Sequence, residues 1–391
     1  MKPKDDPLGP NTERSGHLRP VWAEVDLAAV RHNVQTLRAY VAPSELLAVV
    51  KADGYGHGAE PVARAALHAG ASMLGVALVE EGVALRKAGI SAPVLVLSEP
   101  IPDAANTVLE YDLTPAVYTT AGVEALAKAA AASGVSGFPV HLKVDTGMHR
   151  VGCAPTDTAA LAASITRYPS LSLASVWTHF AVADEPNNPY SQYQLDVFDA
   201  LVCELANGGS VPQRLHCANT AAAIAIPASR KDLVRVGIGL YGIAPSLALH
   251  DLVDLRPALS VKARVGFVKR VAAHERVSYG LRYTLARDAN IVTLPIGYAD
   301  GVPRSLAAHG GEVLIRGRRY LIAGTITMDQ TMVDVGDLEV APGEEVVLLG
   351  TQGGETIPAQ EWADRVGTIA YEIVCGIGPR VPRHYLNGVT A

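Results

Sequence analysis

Cysteine is scarce in this chain, and the few cysteines are far apart. The 391 residues include four, Cys153, Cys203, Cys217 and Cys375, and no two of them form a CxxC pair. The sequence therefore predicts neither a disulfide scaffold nor a structural zinc site. No HxH or HExxH spacing occurs among the histidines, so no metal is expected and a metal-dependent hydrolase is disfavoured.

Long apolar runs and basic clusters are also missing. No run of about 18 apolar residues is present that would span a membrane, and the polar first twenty residues lack the apolar core of a signal peptide. We therefore expect residues 1–20 to form a disordered tail and the protein to be cytoplasmic. A net charge of −6, with no basic cluster interleaved with aromatic residues, argues against nucleic acid as a partner.

Apolar runs of strand length are abundant, and they alternate with alanine-rich segments between residues 46 and 238. In those segments apolar residues recur every three or four positions, as in amphipathic helices. The eight predicted strands are Leu46–Val50, Met73–Ala77, Pro93–Leu97, Thr114–Val117, Pro139–Val144, Ser172–Thr178, Arg214–Cys217 and Leu233–Ile238. The predicted helices include Ala59–Ala69, Val79–Ala88, Ala121–Ser133 and Gln192–Asn207. Eight such repeats favour a closed (β/α)8 TIM barrel over an open doubly wound sheet, with catalysis at the C-terminal ends of the strands.

The pattern changes near Arg256-Pro257, where β-rich segments separated by turn residues begin. The sequence therefore predicts two domains, a barrel over residues 21–256 and a smaller, mostly β C-terminal domain over residues 257–391. A strand at Val21–Asp26 precedes the barrel, and Asp26 is suited to cap a helix over Leu27–Tyr40. The C-terminal elements expected are β-rich stretches at Leu259–Val271, Asn290–Ile296, Glu312–Ile315, Tyr320–Val335 and Glu345–Leu349, and a helix at Pro358–Val366.

The most informative stretch is AVVKADGYGHG at positions 48–58, in which Lys51 follows an apolar strand. Lysine is rarely buried without a partner. Burial at a strand end would lower the pKa of its amine and leave a neutral nucleophile able to form a Schiff base with an aldehyde. The alternative for an isolated lysine is a side chain that extends to solvent past an ordinary loop.

Further motifs follow Lys51, within a region of similarity that runs from about Val21 to Tyr385 and so covers nearly the whole chain. They are KVDTGMHR (143–150), THF (178–180) with AD (183–184), HCANT (216–220), RVGIGLYG (235–242), VSYG (277–280), GYADG (297–301), MDQ (328–330) and YE (371–372). In this order, and together with the lysine stretch, they resemble the motifs of the alanine racemases, which are pyridoxal phosphate enzymes. The resemblance also implies that the strand at Val21–Asp26 associates with the C-terminal domain.

The resemblance implies a cofactor site built from Lys51, Tyr55, His179, Asn219, Thr220, Arg235, Gly237, Ile238 and Tyr371. A phosphate needs backbone N–H donors, which the turn after the last barrel strand can supply, and hydroxyls, which the tyrosines and Thr220 carry. The family usually has serine in place of Thr220, and the hydroxyl is retained. Taken alone, the glycine-rich turn would be an ordinary connection between a strand and a helix.

Arg235 corresponds to the arginine that faces the pyridine nitrogen of the cofactor in the family. Arginine does not give up its proton, so it would donate a hydrogen bond without protonating the ring, which favours racemisation over transamination. His179 and His216 fit a role in orienting Arg235. The alternatives are an arginine paired with a carboxylate at the barrel rim and two ordinary core histidines.

Racemisation requires a base on each face of the substrate α-carbon. By resemblance, Lys51 serves one face and Tyr279 the other, and Tyr279 comes from the second subunit of a homodimer with shared active sites. A tyrosine base needs a pKa lowered from about 10 by neighbouring groups. For an isolated Ser-Tyr-Gly, a half-buried tyrosine on a β-strand would be the simpler interpretation.

Substrate contacts and one modification are implied as well. Arg150 and Met328 resemble the residues around the substrate carboxylate, and methionine leaves little room for side chains larger than that of alanine. His141, Lys143 and Asp145 alternate and are expected to share one face of a strand. In some relatives the lysine at position 143 is carbamylated, and the resulting anion holds the neighbouring arginine.

The resemblance therefore implies an alanine racemase that interconverts L- and D-alanine and supplies D-alanine for peptidoglycan. Three other interpretations stay open at this point. The substrate could be serine or a wider set of amino acids. A related decarboxylase shares the architecture but not the tyrosine and Met-Asp-Gln motifs. A non-catalytic pyridoxal phosphate carrier would be a single barrel and would not need Tyr279.

Overall fold

The computed structural model describes residues 18–388. They form two compact units, one of residues 25–258 with 385–388 and the other of residues 18–24 with 259–384. The tail predicted at residues 1–20 lies outside the described residues up to residue 17. Between residues 18 and 388, no helix has the length and apolar character needed to cross a membrane.

The chain enters the barrel unit through strand β1 (Val21–Asp26) and helix α1 (Leu27–Val41). The Asp26 carboxylate accepts a hydrogen bond from the Ala28 N–H at 2.8 Å. This bond satisfies one of the free N–H groups at the helix start. The prediction that Asp26 caps this helix is confirmed.

Eight parallel strands form the barrel: β2 (Glu45–Val49), β3 (Met73–Val76), β4 (Val94–Val96), β5 (Thr114–Val117), β6 (Phe138–Lys143), β7 (Leu171–Trp177), β8 (Arg214–His216) and β9 (Leu233–Val236). Their order is β8-β7-β6-β5-β4-β3-β2-β9. The Arg235 N–H donates to the Ala218 carbonyl at 2.9 Å and joins the two edges, so the barrel is nearly closed. The (β/α)8 prediction is confirmed, and each strand lies within two residues of its predicted bounds.

Helical segments connect the strands: α2 (Lys51–Tyr55), α3 (Ala59–His68), α4 (Val79–Lys87), α5 (Ala105–Glu110), α6 (Thr120–Ala132), α7 (Pro155–Arg167), α8 (Tyr190–Asn207) and α9 (Thr220–Ala225). The strands are buried on both faces, since helices cover the outside and side chains fill the inside. This explains why their sequences are mostly apolar. Segment α2 is exceptional because its backbone is left-handed.

The second unit is mostly β, as predicted. Its elements are β10 (Leu259–Arg264), β11 (Phe267–Val271), β12 (Arg276–Val277), β13 (Tyr283–Thr284), β14 (Ala289–Leu294), β15 (Glu312–Ile315), β16 (Arg318–Leu321), β17 (Thr331–Asp334), β18 (Glu345–Gln352), β19 (Glu355–Ile357), α10 (Ala359–Val366), α11 (Ala370–Gly376) and β20 (Arg383–Leu386). The largest sheet has the order β16-β15-β18-β10-β1-β20, with β19 paired to β18. Strand β1 thus lies between β10 and β20.

Two smaller sheets, β11-β14-β17 and β12-β13, complete this unit. The β-rich stretch predicted at Tyr320–Val335 contains the end of β16 and all of β17, with a loop between them. Gly324 in that loop has φ +74, a conformation that does not continue a strand. The loop carries Met328, so the interruption brings a predicted site residue to the surface.

Candidate active site

Lys51 begins a left-handed turn directly after β2. Ala52, Asp53 and Tyr55 have φ of 52°, 50° and 53°, and Gly54 between them has φ 60°. For a non-glycine residue this conformation costs roughly 1–2 kcal/mol, so the three together cost about 3–6 kcal/mol. Such strain persists only where surrounding contacts hold it. The turn brings half-buried Lys51 and buried Tyr55 to the C-terminal end of the first barrel strand.

Tyr55, Thr220 and Gly237 form a small polar cradle. The Gly237 N–H donates to the Thr220 hydroxyl at 3.0 Å. A Cβ on Gly237 would lie 2.5 Å from the Tyr55 hydroxyl, so only glycine allows this approach. The Tyr55 ring packs at 4.9 Å against Tyr241, whose hydroxyl donates to the Val49 carbonyl at 3.0 Å. Two hydroxyls and a backbone N–H therefore converge in a form that suits a phosphate group.

Arg235 is buried inside the barrel, and its guanidinium donates five hydrogen bonds. It reaches His216 Nδ1 at 2.9 Å and His179 Nδ1 at 3.1 Å. It also reaches the carbonyls of Thr178, His216 and Cys217 at 2.8, 3.2 and 2.9 Å. Burial lowers its pKa to about 10, so it stays a cation at neutral pH. Among residues 18–388 no carboxylate pairs with it, which argues against the rim ion pair.

Three neutral histidines extend from Arg235. Burial, followed by the Arg235 charge, holds the pKa values of His179 and His216 well below their usual range. Burial lowers the pKa of His141 to about 3. A guanidinium only donates, so His216 accepts at Nδ1 and carries its proton on Nε2. That proton points to His141 Nδ1 at 3.1 Å, and the contacts fix the ring tautomers.

Lys143 lies beside this histidine chain. Its Nζ is 4.6 Å from the Trp177 ring centroid, and the Arg235 guanidinium is 4.7 Å from the same ring. Burial, then the positive charges of Arg150 and Arg235, lowers the Lys143 pKa to about 7. About half of the amine is therefore neutral near pH 7.

Asp145 does not share the strand face predicted for His141 and Lys143, because β6 ends at Lys143. Its carboxylate instead accepts the N–H groups of Gly147, Met148 and His149 at 2.9–3.0 Å. These bonds explain why the Asp145 pKa is lowered despite partial burial, which acts in the opposite direction. They also shape the turn that leads to the exposed Arg150.

Asn219, Ile238 and Cys217 complete the barrel residues singled out by the sequence. The Asn219 side chain accepts the Ala222 N–H at 2.9 Å and so caps helix α9. Ile238 is buried directly after the Gly237 turn. Burial raises the Cys217 pKa to about 12, so this residue is an inert thiol.

Tyr279 and Met328 belong to the β-rich unit and are 72% and 52% exposed. Tyr279 lies on a turn, not on the β-strand considered from sequence, and its neighbour Ser278 has φ +67. The Ser278 hydroxyl donates to the Thr325 carbonyl at 2.5 Å, and the Thr325 hydroxyl donates to the Tyr279 carbonyl at 2.8 Å. These two bonds hold the turn that carries Tyr279 against the loop between β16 and β17, which carries Met328.

Tyr371 is the third predicted site residue in this unit. It is the second residue of α11 and is half-buried.

Across residues 18–388 there is no group of histidines, cysteines and carboxylates that could hold a metal ion.

Three residues at the site were not predicted from sequence. Trp177, at the end of β7, lies between Lys143, Arg235 and His216, whose ring it stacks on at 5.3 Å. Tyr241 supports Tyr55, and Glu81 contacts the left-handed turn. An aromatic residue at the C-terminal end of a barrel strand was a usable signal for Trp177. Glu81 gave none, because its partner is distant in sequence.

Most of the chain is similar to known protein families. Residues 25–245 match the family described as alanine racemase, N-terminal domain, and residues 258–385 match alanine racemase, C-terminal domain. An alanine racemase of Symbiobacterium thermophilum is 50% identical over 375 residues, covering 96% of this chain and 99% of that protein. One of Desulforamulus reducens is 43% identical, covering 94% and 99%.

Solved structures agree. The alanine racemase of D-cycloserine-producing Streptomyces lavendulae has a TM-score of 0.90 at 41% identity, covering 95% of this chain and 98% of that one. A histidine racemase of Leuconostoc mesenteroides has a TM-score of 0.87 at 32% identity, covering 95% and 99%. The fold is thus shared by proteins named for different substrates.

The barrel, the strand-end lysine and the phosphate-type cradle define a barrel enzyme of the racemase type. The chain belongs to the alanine racemase family. Enzymes of this family depend on pyridoxal phosphate and are isomerases that act on small molecules. The resemblance found from the sequence motifs is confirmed.

Proposed function

We propose that this protein interconverts L- and D-alanine with pyridoxal phosphate. One observation carries the proposal: Arg235 contacts His179 at 3.1 Å, and the charges of three more basic side chains act on the same histidine. After burial, the charges of Arg235, Arg150, Lys143 and Lys51 all lower its pKa. A positive pocket at the ends of barrel strands suits a ligand with a phosphate and a substrate with a carboxylate.

The residues present fit the cofactor. Its phosphate would be held by the hydroxyls of Tyr55 and Thr220 and by the turn at Gly237 and Ile238, with Tyr371 as a further hydroxyl. Asn219 would support the same end through its cap on α9. When bound, pyridoxal phosphate withdraws electrons from the substrate and makes the α-hydrogen acidic. Lys51 is the residue we expect to hold the cofactor covalently.

Lys51 and Tyr279 would move the protons. Lys51 Nζ would remove or return the α-proton on one face, and the Tyr279 hydroxyl would do so on the other. Arg235 would donate to the ring nitrogen without releasing its own proton, because it remains a cation whose neighbours are neutral histidines. Arg150 and Met328 would contact the substrate near its carboxylate.

We propose a homodimer in which Tyr279 of the partner subunit completes each site. The support is the exposure of Tyr279, Met328 and Tyr298, which are 72%, 52% and 40% exposed. The loops are joined: the Tyr298 N–H donates to Thr327 and the Ala299 N–H to Met328. An apolar patch held this rigidly suits a subunit interface.

Alanine is favoured as substrate by Met328, which leaves little room for a larger side chain. The histidine racemase with the same fold makes a wider panel necessary, so activity should be compared on alanine, serine and histidine. The product would be D-alanine for peptidoglycan, and this role implies a cytoplasmic enzyme. Tyr279 and the β-rich unit distinguish this proposal from a pyridoxal phosphate carrier.

The direct test is to load the protein with pyridoxal phosphate, reduce it with borohydride and map the adduct by mass spectrometry. The adduct should be on Lys51, and alanine racemisation should disappear in Lys51→Ala. Lys143→Met is the matched control, because this second buried lysine should not carry the adduct. An adduct on Lys143 would contradict the proposal. So would a failure of the cofactor-loaded protein, before borohydride treatment, to racemise alanine.

A further inference from the structure

The left-handed turn after Lys51 needs an external anchor. Ala52 has φ +52, a left-handed conformation that is unfavourable for alanine. Its side chain is exposed, so buried packing does not offset this cost. Within the turn, the Gly54 N–H donates to Val50 at 2.9 Å and the Gly56 N–H to Ala52 at 3.0 Å. These bonds close the turn, but they do not attach its first peptide, the one that follows Lys51, to the barrel.

Glu81, on helix α4 of the next strand–helix repeat, makes that attachment. Its Oε1 accepts the Ala52 N–H at 2.6 Å. Its Oε2 accepts the N–H groups of Ala77 and Leu78 at 2.8 and 3.1 Å, which caps α4. One carboxylate therefore satisfies three backbone donors and links the residue after Lys51 to the end of the neighbouring strand. Hydrogen bonds to charged acceptors are stronger than neutral ones.

We infer that Glu81 is a positioning residue for Lys51, acting through the Ala52 peptide. With the bond present, the main chain leaves Lys51 in one direction and the side chain starts from a fixed Cα. Without it, Ala52 would populate right-handed conformations that turn Lys51 away from the cradle. The inference rests on the proposed function, since it assigns Lys51 the covalent role.

The two oxygens make Glu81→Gln a selective test. Glutamine has one acceptor oxygen, and that oxygen can keep the two capping bonds to Ala77 and Leu78. Its amide group would then face the Ala52 N–H, so only the bond to the turn is lost. Glu80→Gln is the matched control, because this substitution removes the same charge from an exposed side chain that makes no hydrogen bond or ion pair within residues 18–388.

The first readout uses protein freed of cofactor. Hydrogen exchange of the Ala52 amide should be about 10- to 100-fold faster in Glu81→Gln, the range for a lost charge-assisted bond. In Glu81→Gln the dissociation constant of pyridoxal phosphate should rise, and the yield of the reduced Lys51 adduct should fall. Glu80→Gln should match the wild type in all three measurements.

A rescue separates positioning from a general loss of stability. Glycine adopts the left-handed conformation without the penalty of alanine. Adding Ala52→Gly to Glu81→Gln should therefore recover part of the adduct yield and of kcat, although it restores no hydrogen bond. A general stability defect would not respond to this second change.

The outcomes are distinct. If wild type lacks a Lys51 adduct, the proposed function fails. If wild type carries the adduct and Glu81→Gln behaves like Glu80→Gln, the positioning role is overturned. If Glu81→Gln does not fold, the wild-type Ala52 amide decides the question. Protection of this exposed amide supports the inference, and exchange at the rate of an open loop overturns it.

Discussion

Replacing Lys143 with methionine should remove both a pH-dependent cost of folding and a reaction with CO2. Lys143 is 4% exposed, and no carboxylate lies within ion-pair distance of it in the described part of the chain. Burial and the charges of Arg150 and Arg235 lower its pKa from 10.5 to about 7. Methionine keeps an unbranched side chain against Trp177 and carries no charge.

The lowered pKa of Lys143 determines how much its buried charge reduces the free energy of unfolding. A tenfold change in protonation is worth about 1.4 kcal/mol, so the buried ammonium form costs at most about 5 kcal/mol. Below pH 7 both folded and unfolded chains are protonated, and the full cost is present. Between pH 7 and 10.5 the unfolded chain holds a proton that the folded chain has released, so the cost declines. Wild-type stability relative to Lys143→Met should therefore rise with pH across this window.

The same pKa makes Lys143 a candidate for carbamylation. At pH 8 about 90% of the amine is neutral, against about 0.3% for an ordinary lysine. The neutral nitrogen forms a bond to the carbon of CO2 and releases one proton, which gives a carbamate anion. Near the Arg150 and Arg235 guanidiniums, that anion replaces repulsion with attraction.

Two measurements test this reasoning. Incubation with ¹³C-bicarbonate at pH 8 should give a carbamate carbon resonance in wild type that is absent in Lys143→Met. Denaturant unfolding at pH 6 and pH 9 should give a stability difference between the two proteins that narrows by about 3 kcal/mol at the higher pH in bicarbonate-free buffer. An identical pH dependence of both proteins, with no wild-type resonance, would refute the assignment.

Other predictions concern the bases and the residues around them. Tyr279→Phe should lower racemisation by about 10²–10⁴-fold while the melting temperature holds, since the side chain is 72% exposed. Mixing it with Lys51→Ala should restore about a quarter of wild-type activity, because half the dimers then contain one intact site. No recovery with heterodimers present would exclude the shared site. Arg235→Glu should slow racemisation by about 10²-fold or more and raise transamination, measured as pyruvate. Unchanged products would make Arg235 structural. Thr325→Val removes the hydroxyl that donates to the Tyr279 carbonyl. We expect about a 10-fold lower kcat with unchanged cofactor affinity, whereas Thr351→Val, on the exposed β18 hairpin, should have no effect.

The barrel could be predicted well because its strands are simple in physical terms. Helices cover one face of each strand and side chains fill the other, so the sequence of a strand such as Thr114–Val117 is mostly apolar. Its predicted bounds agree with the structure to the residue. The β-rich unit was harder, since the loop between β16 and β17 contains apolar residues of the kind found in strands.

The lysine motif and the basic residues were also accessible from sequence, but their electrostatics were not. His141 was expected on one face of a strand with Lys143, and the structure adds that it extends the Arg235–His216 contact. That arrangement joins three different strands. Spacing within one strand cannot predict it, because each partner comes from another strand–helix repeat.

The conformation of the chain after Lys51 is the clearest feature that local sequence does not predict. Alanine and aspartate at positions 52 and 53 disfavour φ near +50, so local preference points to the wrong structure. The contacts that oppose this preference are the carboxylate of Glu81, 29 residues away, and that of Asp53, which accepts the Ala59 N–H at 2.8 Å. The sequence motifs predict that Lys51 is the nucleophile, and the direction of its side chain is what we infer to depend on a carboxylate from the next repeat. A variant that keeps the motif but loses Glu81 should therefore keep the fold and lose much of the chemistry.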